Sequence, residues 1–363
     1  MKFELAQYQP PDFSARKLVN APNVVWKAVE RDFVAPDNYH ATSIFPEYYK
    51  VDGKWILAEE SRMDCLAVWN DGRIDVKEFR HLKQGDLVAC GRRENGEDGI
   101  LVYPDGFRAG EEEKSEAFAF RQRRSRETAF SADYKFLQEL LNYERDNGYV
   151  VWVMGPACTF DASARKAFSK LVDNGYVDAV LAGNALATHD LEGAYRRTAL
   201  GQDIRTQRCM PNGHYNHIDT LNRVRSYGSM EKFIEEEGID NGIVYSCIKN
   251  NIPLVLTGSI RDDGPMPEVY ADVYQGQDAM RDCIRKATTV ICMASMLHTI
   301  ATGNMTPAFR VLEDKTVRPV YFYSVDISEF AVNKLGDRGS LAARSIVTNA
   351  QDFMIKIRKG LKL

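Results

Sequence analysis

Apolar residues fall along this chain in two different rhythms. Through roughly the first hundred residues they come in short runs, KWILAEE, DCLAVWN, RIDVKEF and DLVACGRR, separated by VDGK, NDGR and KQGD. Asp-Gly and Gly-Asp at such breaks are turn signals, so this stretch predicts short strands joined by tight turns, with one helix near residues 15–31. From Ser131 the rhythm lengthens. SADYKFLQELLNYERDNG reads as a helix with Ser131 as N-cap and Gly148 as stop, YVVWVMGPA as a buried strand, DASARKAFSKLVDNG as a helix and VDAVLAGNA as a strand. Helices are expected at 216–227, 230–237 and 240–250, then a strand at 253–258, the helix QGQDAMRDCIRKA and the strand TTVICMA. The strand VRPVYFYSVDIS, a helix through Lys334, the short strand RSIVT and a closing helix complete the series. Strands alternating with helices mean a parallel sheet covered on both faces. The expected architecture is therefore an α/β parallel sheet over 131–363, a charged connector over 111–130 and a smaller β-rich domain over 1–110.

Ligands of open parallel sheets sit beyond the carboxyl ends of the strands. Those ends are polar and rich in small residues: GPACTF, AGNALATHD, TGSIRDDGPMP, MASMLHTIATGNM and SVDIS. In the third, Arg261, Asp262 and Asp263 arrive together, in a loop stiffened by Gly264, Pro265 and Pro267. Arg261 suits a substrate carboxylate, because its planar fork matches that group in two parallel hydrogen bonds. One aspartate can neutralise it while the other binds an amine or takes a proton; an Arg–Asp pair that merely stiffens the loop is the alternative. Asp326 closes an apolar strand as a ribose-binding carboxylate does, or else caps the next helix. Gly183 and Asn184, with Thr188 or Asp190 before a short helix, leave room for a phosphate, as do GPACT and TGNM, and no GxGxxG occurs. His214 and His217 stand one helical turn apart without a third ligand at metal-binding spacing, so polar contacts or capping are favoured. His189 and His298 sit in strand-end loops. Cys158 lacks an adjacent base and reads as packing, like Met293, Met296 and Met305.

Composition narrows the field without choosing within it. The chain has 363 residues and a net charge of −4, which gives no sign of a nucleic-acid binder. The basic RQRRSR lies beside the acidic EEEKSE, so its field is largely cancelled. Seven scattered cysteines without a CxxC pair fit reduced thiols in a cytoplasmic protein. No signal-peptide core is evident, and no apolar run approaches the ~20 residues that cross a bilayer.

The segments LAGNALATHDLEGA, GHYNHIDTLNRV, GIVYSCIKNNIPLVLTGSIRDDGPMPEVYADV, QDAMR, MLHTIATGNM and VDISEFAVNKLGDRGS closely resemble the NAD-dependent ornithine cyclodeaminases of archaea and of cyanobacterial arginine dihydrolase C-terminal regions. That family also carries the label lysine-oxoglutarate reductase/saccharopine dehydrogenase-like. The resemblance implies a deoxyhypusine-synthase-like, Rossmann-related α/β NAD domain and conversion of L-ornithine to L-proline and ammonia by hydride removal, cyclisation, deamination and hydride return. It implies NAD contacts at Gly183, Asn184, Ala185, Gly303, Asn304 and Asp326, to which His214, Gly258 and Ser259 are added. Arg261 would then bind substrate, Asp262 and Asp263 would be catalytic, and Asn38, Thr42 and Asp64 would cover the site. A homodimer or homotetramer acting on a small amino acid, without nucleic acid, membrane or metal, is expected. No arginine-hydrolysing module is expected, and with it no arginine dihydrolase activity. An opine- or saccharopine-type NAD(P) oxidoreductase, an aminoalkyl transferase using Lys249 or Lys334, and a non-catalytic NAD-binding protein are the competing readings.

Overall fold

The expected alternation is present in the computed structural model, which describes residues 3–107, 131–262, 264–328 and 342–363. The connector over 111–130 and the helix through Lys334 lie outside the described residues. In the first part, β1 (Val25–Ala28), β2 (Glu47–Val51), β3 (Lys54–Leu57), β4 (Leu66–Asn70), β5 (Arg73–Lys77), β6 (Leu87–Cys90) and β7 (Ile100–Val102) form two antiparallel sheets. Their orders are β1-β6-β4-β5 and β3-β2-β7. Asp52-Gly53 and Asp71-Gly72 make the two tightest turns, and all four residues have positive φ, between 45° and 90°. That demand explains why Asp-Gly stands at both places.

One expectation fails here. The helix near residues 15–31 shrinks to a single turn, α1 (Arg16–Val19), followed by β1. Pro22 cannot continue a helix, and Val24 and Val25 favour the extended pairing of Val25 with Cys90. The buried Lys50 ammonium closes the turn by donating to the carbonyls of Leu18, Val19 and Ala21, at 3.1, 2.8 and 2.8 Å.

The second part runs α2 (Ser131–Asn147), β8 (Val150–Met154), α3 (Ala162–Asp173), β9 (Ala179–Gly183) and α4 (Asn184–Arg196). A small hairpin, β10 (Thr198–Ala199) with β11 (Gln202–Asp203), precedes α5 (His214–Tyr227), α6 (Met230–Glu236) and α7 (Ile243–Lys249). Then come β12 (Leu254–Thr257), α8 (Val273–Ile284), β13 (Thr289–Met293) and α9 (Met296–Met305). A second hairpin, β14 (Phe309–Val311) with β15 (Val317–Pro319), leads to β16 (Tyr321–Asp326), β17 (Ala342–Val347) and α10 (Ala350–Gly360). The expected single strand VRPVYFYSVDIS is thus two, because Pro319 has no N–H to donate and ends the hairpin before β16 begins. No helix among the described residues is long and apolar enough to cross a membrane.

Six strands, β12-β9-β8-β13-β16-β17, form one wholly parallel sheet. Both faces are buried, so the strands read as unbroken apolar runs. Val150, Trp152 and Met154 face the core made with α2, α3, α4 and α10, whereas Val151 and Val153 face α8 and α9. Taken in chain order within this domain, the strands lie 3-2-1-4-5-6. The order reverses between β8 and β13, the kind of switch point where a crevice opens. The β-rich part docks on α8 and β14: Glu60 bridges Arg281 and Arg285 at 3.3 Å each, Arg80 grips Asp278, and Ala308 N–H donates to Ile44 O at 3.3 Å.

One buried carboxylate ties the lower edge of the sheet together. Glu144, on α2, accepts from Thr288 Oγ1 at 2.8 Å, Thr289 Oγ1 at 3.0 Å and Arg318 Nη2 at 2.6 Å. Gly148 is more than a helix stop, since a Cβ there would lie 1.6 Å from Glu144 Oε2. Replacing Arg318 with methionine should cost about 3–5 kcal/mol in urea unfolding, because the fully buried carboxylate loses its counter-charge. A loss below about 1 kcal/mol would show that the two threonines suffice.

Candidate active site

Three neighbouring strands end in glycine: β8 at Gly155, β9 at Gly183 and β12 at Gly258. At the switch point the Gly155 N–H donates to Met293 O at 2.8 Å, and a Cβ on Gly155 would stand 1.9 Å from Ala294 O. A Cβ on Gly183 would stand 3.0 Å from His298 Cε1. Bare backbone therefore lines the crevice on the β8–β9 side.

His298 is the joint of this rim. It lies in the first turn of α9 and not in a loop, with Nδ1 2.8 Å from Ser295 Oγ and Nε2 2.9 Å from Thr257 Oγ1. One imidazole so connects the end of β12, the end of β13 and the Gly183 corner. Burial pulls its pKa below the ordinary 6.5, with Asp262 pulling weakly the other way. The sequence alone places it in a strand-end loop; the signal that marks it is the Ser295–His298 spacing of three at a helix start.

The loop beyond β12 presents its groups unequally. Asp262 Oδ2 accepts from Ser259 N–H at 2.9 Å, and Arg261 N–H donates to Ser259 Oγ at 3.3 Å. The Arg261 side chain is exposed and has no ion pair among the described residues. One Asp262 oxygen is engaged by the backbone, and Arg261 and Asp262 make no ion pair with each other. Asp263 lies outside the described residues. The loop is fastened further on by Asn184, whose Oδ1 accepts from Met266 N–H at 2.9 Å.

Asn184 opens a surprise as well. The expected loop over 184–190 is helical from its first residue, because Leu186, Ala187 and Leu191 pack into the core and carry α4 up to Asn184. Its N-cap, Gly183, supplies no side-chain acceptor, and the first turn holds no acid. At α9 the cap residue Ser295 turns to His298 instead of the backbone. By contrast α3 is capped by Asp161, α8 by Asp272 and α10 by Asn349. Amide groups at the start of α4 and α9 thus remain open toward an anion.

The other expected residues scatter. Gly303 and Asn304 fall in the last turn of α9, not in a strand-end loop, roughly 10 Å along the axis from Met296 at 1.5 Å per residue. Thr302 Oγ1 and Asn304 Oδ1 are buried there and have no hydrogen-bond partner among the described residues. Asp326 ends the fifth strand, across the switch point from β9, and accepts from Ser328 N–H at 2.8 Å. His214 is exposed at the start of α5, its ring against Tyr215. His189 lies inside α4 and not in a strand-end loop, buried and paired through Nδ1 with the wholly buried Glu192 at 3.1 Å. Cys158 is buried as expected, and its thiol is pushed up to about 12 by burial. Met293 and Met305 pack in the core, but Met296 is exposed on the rim. In the β-rich part Asn38 and Asp64 are exposed with φ of 63° and 61°. Thr42 is buried, donating to Arg62 O at 2.6 Å and accepting from Cys65 N–H at 3.2 Å. Among the described residues no group of three His, Cys, Asp or Glu side chains is placed to hold a metal.

With this geometry in hand, residues 135–357 match the family model described as arginine dihydrolase ArgZ-like, C-terminal, Rossmann fold. The chain belongs to that family. An ornithine cyclodeaminase of Methanocaldococcus jannaschii is 38% identical over 334 residues, covering 90% of this chain and 74% of its own. The bifunctional arginine dihydrolase/ornithine cyclodeaminase AgrE of Nostoc is 33% identical over 355 residues, 92% of this chain but 46% of its own. Among solved structures, a conserved putative LOR/SDH protein of Methanococcus maripaludis aligns with a TM-score of 0.84 and 34% identity, over 94% of this chain and 98% of that one. AgrE in ternary complex with ornithine and NAD+ aligns at 0.60 with 31% identity, over 94% of this chain and 46% of that one. Members of this ArgZ-like family are enzymes of the ornithine cyclodeaminase type.

The His298 environment sets a pH dependence. Below pH 6.5 the unfolded histidine takes a proton before the folded one does, so stability is full above that value and falls as the pH drops toward the lowered folded pKa. His81, lowered by burial and Arg80, adds to the same slope. The readout is therefore the difference between the natural chain and His298→Asn: unfolding between pH 7 and pH 5 should be less pH-sensitive in the variant. Equal slopes would remove His298 from the account.

Proposed function

We propose that the protein converts L-ornithine to L-proline and ammonia, with NAD held on the strand-end rim. The observation that carries the reading is the alignment, over 94% of this chain, with AgrE bound to ornithine and NAD+. The rim's donors fit such a group: glycine strand ends beside two uncapped helix starts suit a pyrophosphate. Gly183, Asn184 and Ala185 would hold it through backbone amides, with Gly258, Ser259 and Asp326 around them. NAD, when bound, supplies reversible hydride acceptance at the amino-acid α-carbon.

The chain's own groups do the rest. Arg261 binds the substrate carboxylate through its exposed guanidinium. Asp262 keeps Oδ1 available for a substrate amine, where it holds or takes a proton, while Ser259 N–H fixes its other oxygen. Asp263 is the second carboxylate of this pair. His298, neutral near pH 7 and held on both nitrogens, positions Thr257 and Ser295 at the crevice. Asn38 and Asp64 form the substrate cover, and Thr42 O, which accepts from Asp64 N–H at 3.0 Å, holds the turn that presents it. The exposed Val273, Tyr274, Met296, Leu297 and Ile327 flank the rim and suit coverage by a second copy in a homodimer or homotetramer.

Lys249 does not favour the transferase reading. It ends α7, before β12 begins, away from the carboxyl ends of the strands.

Incubation of the purified protein with NAD and L-ornithine should yield proline and ammonia in equal amounts without accumulating NADH. Steady NADH formation, balanced by an amino acid and a 2-oxo acid, would instead support the saccharopine-type oxidoreductase. Arg261→Ala should raise the KM for L-ornithine roughly 10- to 100-fold, the worth of a charge-assisted hydrogen-bond pair. An unchanged KM would take the carboxylate away from Arg261.

A further inference from the structure

A second cleft opens on the outer side of the helical layer and shares no residue with the rim. It has a volume of about 630 Å³ and runs between α3, the end of α4 and α7. That volume lies within the range of sites for small organic ligands.

Its upper end is built from cations. Ala162 N–H donates to Ile204 O at 3.0 Å, and Ile204 N–H donates to Arg197 O at 3.1 Å. These two bonds bring the start of α3, the end of α4 and the β11 loop together. Lys166, Arg197 and Arg205 consequently line one mouth, and Lys249 lines the other end. None of the four has an ion pair among the described residues; Lys249 makes only a 5.6 Å approach to the Tyr245 ring. The lining acids are Asp173, which accepts from Asn250 Nδ2, and Asp240, which accepts from Asn241 Nδ2. These four cations outnumber the two lining acids in a chain that is acidic overall, with Asp203 the acid whose field reaches Arg205.

The floor is prepared as well. Arg165 is buried and held in place by Asp190, with Nε to Oδ1 at 2.8 Å and Nη2 to the backbone O at 2.9 Å. Its Nη1 makes only a long contact of 3.5 Å to Asn241 Oδ1. Gly242 passes over this pair at φ +115°, where a Cβ would lie 2.7 Å from Arg165 Nη2. A guanidinium whose orientation is fixed and whose Nη1 is engaged only at 3.5 Å can donate to a phosphate or carboxylate oxygen. Arg197 itself closes α4 in the left-handed region at φ 61°, a place where glycine or asparagine is the unstrained choice.

We infer that this cleft is a binding site for a small multiply charged anion, a phosphate ester or a polycarboxylate, separate from the strand-end rim. Convergent cations on a concave surface lower the energy of such a ligand and select against neutral or cationic amino acids.

The test is titration calorimetry of the full chain near physiological salt, with inorganic pyrophosphate and with citrate as probes. With the strand-end rim filled by saturating NAD, one anion should bind per chain, at least tenfold more weakly to the Lys166→Gln/Arg205→Gln double variant and with unchanged affinity to Arg261→Ala. Pyrophosphate bound in preference to citrate assigns phosphate esters, and the reverse assigns polycarboxylates. Binding of neither probe overturns the proposal, as does an affinity that survives the double variant or disappears with Arg261→Ala. The mutated lysine and arginine are exposed, so the double variant is expected to fold; unchanged thermal unfolding in anion-free buffer checks this.

Discussion

The backbone of Gly155 runs so close to the carbonyl of Ala294 that no side chain fits between them, and the rim depends on that approach. It is where β8 and β13 stop pairing and their connections depart to opposite faces of the sheet. A Cβ at Gly155 would push the two ends apart and move Ser295 with them. Ser295 fixes one nitrogen of His298, and Thr257 fixes the other. The positions of three strand ends are thereby set by one backbone contact and one imidazole.

The same geometry accounts for a dinucleotide-type domain without GxGxxG. In the usual arrangement the helix after the first strand offers its amides to a pyrophosphate. Here that place is taken: Pro156–Phe160 forms a 3-10 turn, and Asp161 caps α3 by accepting from Ala164 N–H at 2.7 Å. The helix starts left open are those after the second and fourth strands, on either side of the switch point. In the proposed reading, an anion held there would need small residues at Gly183 and Gly258, not a glycine-rich first turn.

Much of the fold was legible because burial on both faces leaves unbroken apolar strands and because Asp-Gly turns must adopt positive φ. What escaped has identifiable causes. The start of α4 was hidden because Asn184, Thr188 and His189 look like loop residues, although their helix is carried by Leu186, Ala187 and Leu191. The segment ending in Met305 looked like a rim loop because it is rich in small residues. It proves to be a helix whose last turn faces Arg281, whose Nη1 donates to Met305 O at 2.6 Å. His298 and Asp262 exposed the limit of reading residues singly. Their roles come from partners at the ends of other strands or on the backbone of their own loop, which spacing along the chain does not reveal.

Asn184 joins the two halves of the rim. Its residue starts α4, where the open amides lie, while its side-chain oxygen holds Met266, in the loop that displays Arg261 and Asp262. Asparagine meets both demands because its carboxamide oxygen accepts without adding negative charge at a helix start left open to an anion. Aspartate would keep the hydrogen bond to Met266 but oppose a phosphate; alanine would leave the start of α4 free and release the loop. The loop's position is therefore tied to the α4 start through a single neutral acceptor, and the Ser259 amide on Asp262 fixes the remaining freedom at its tip.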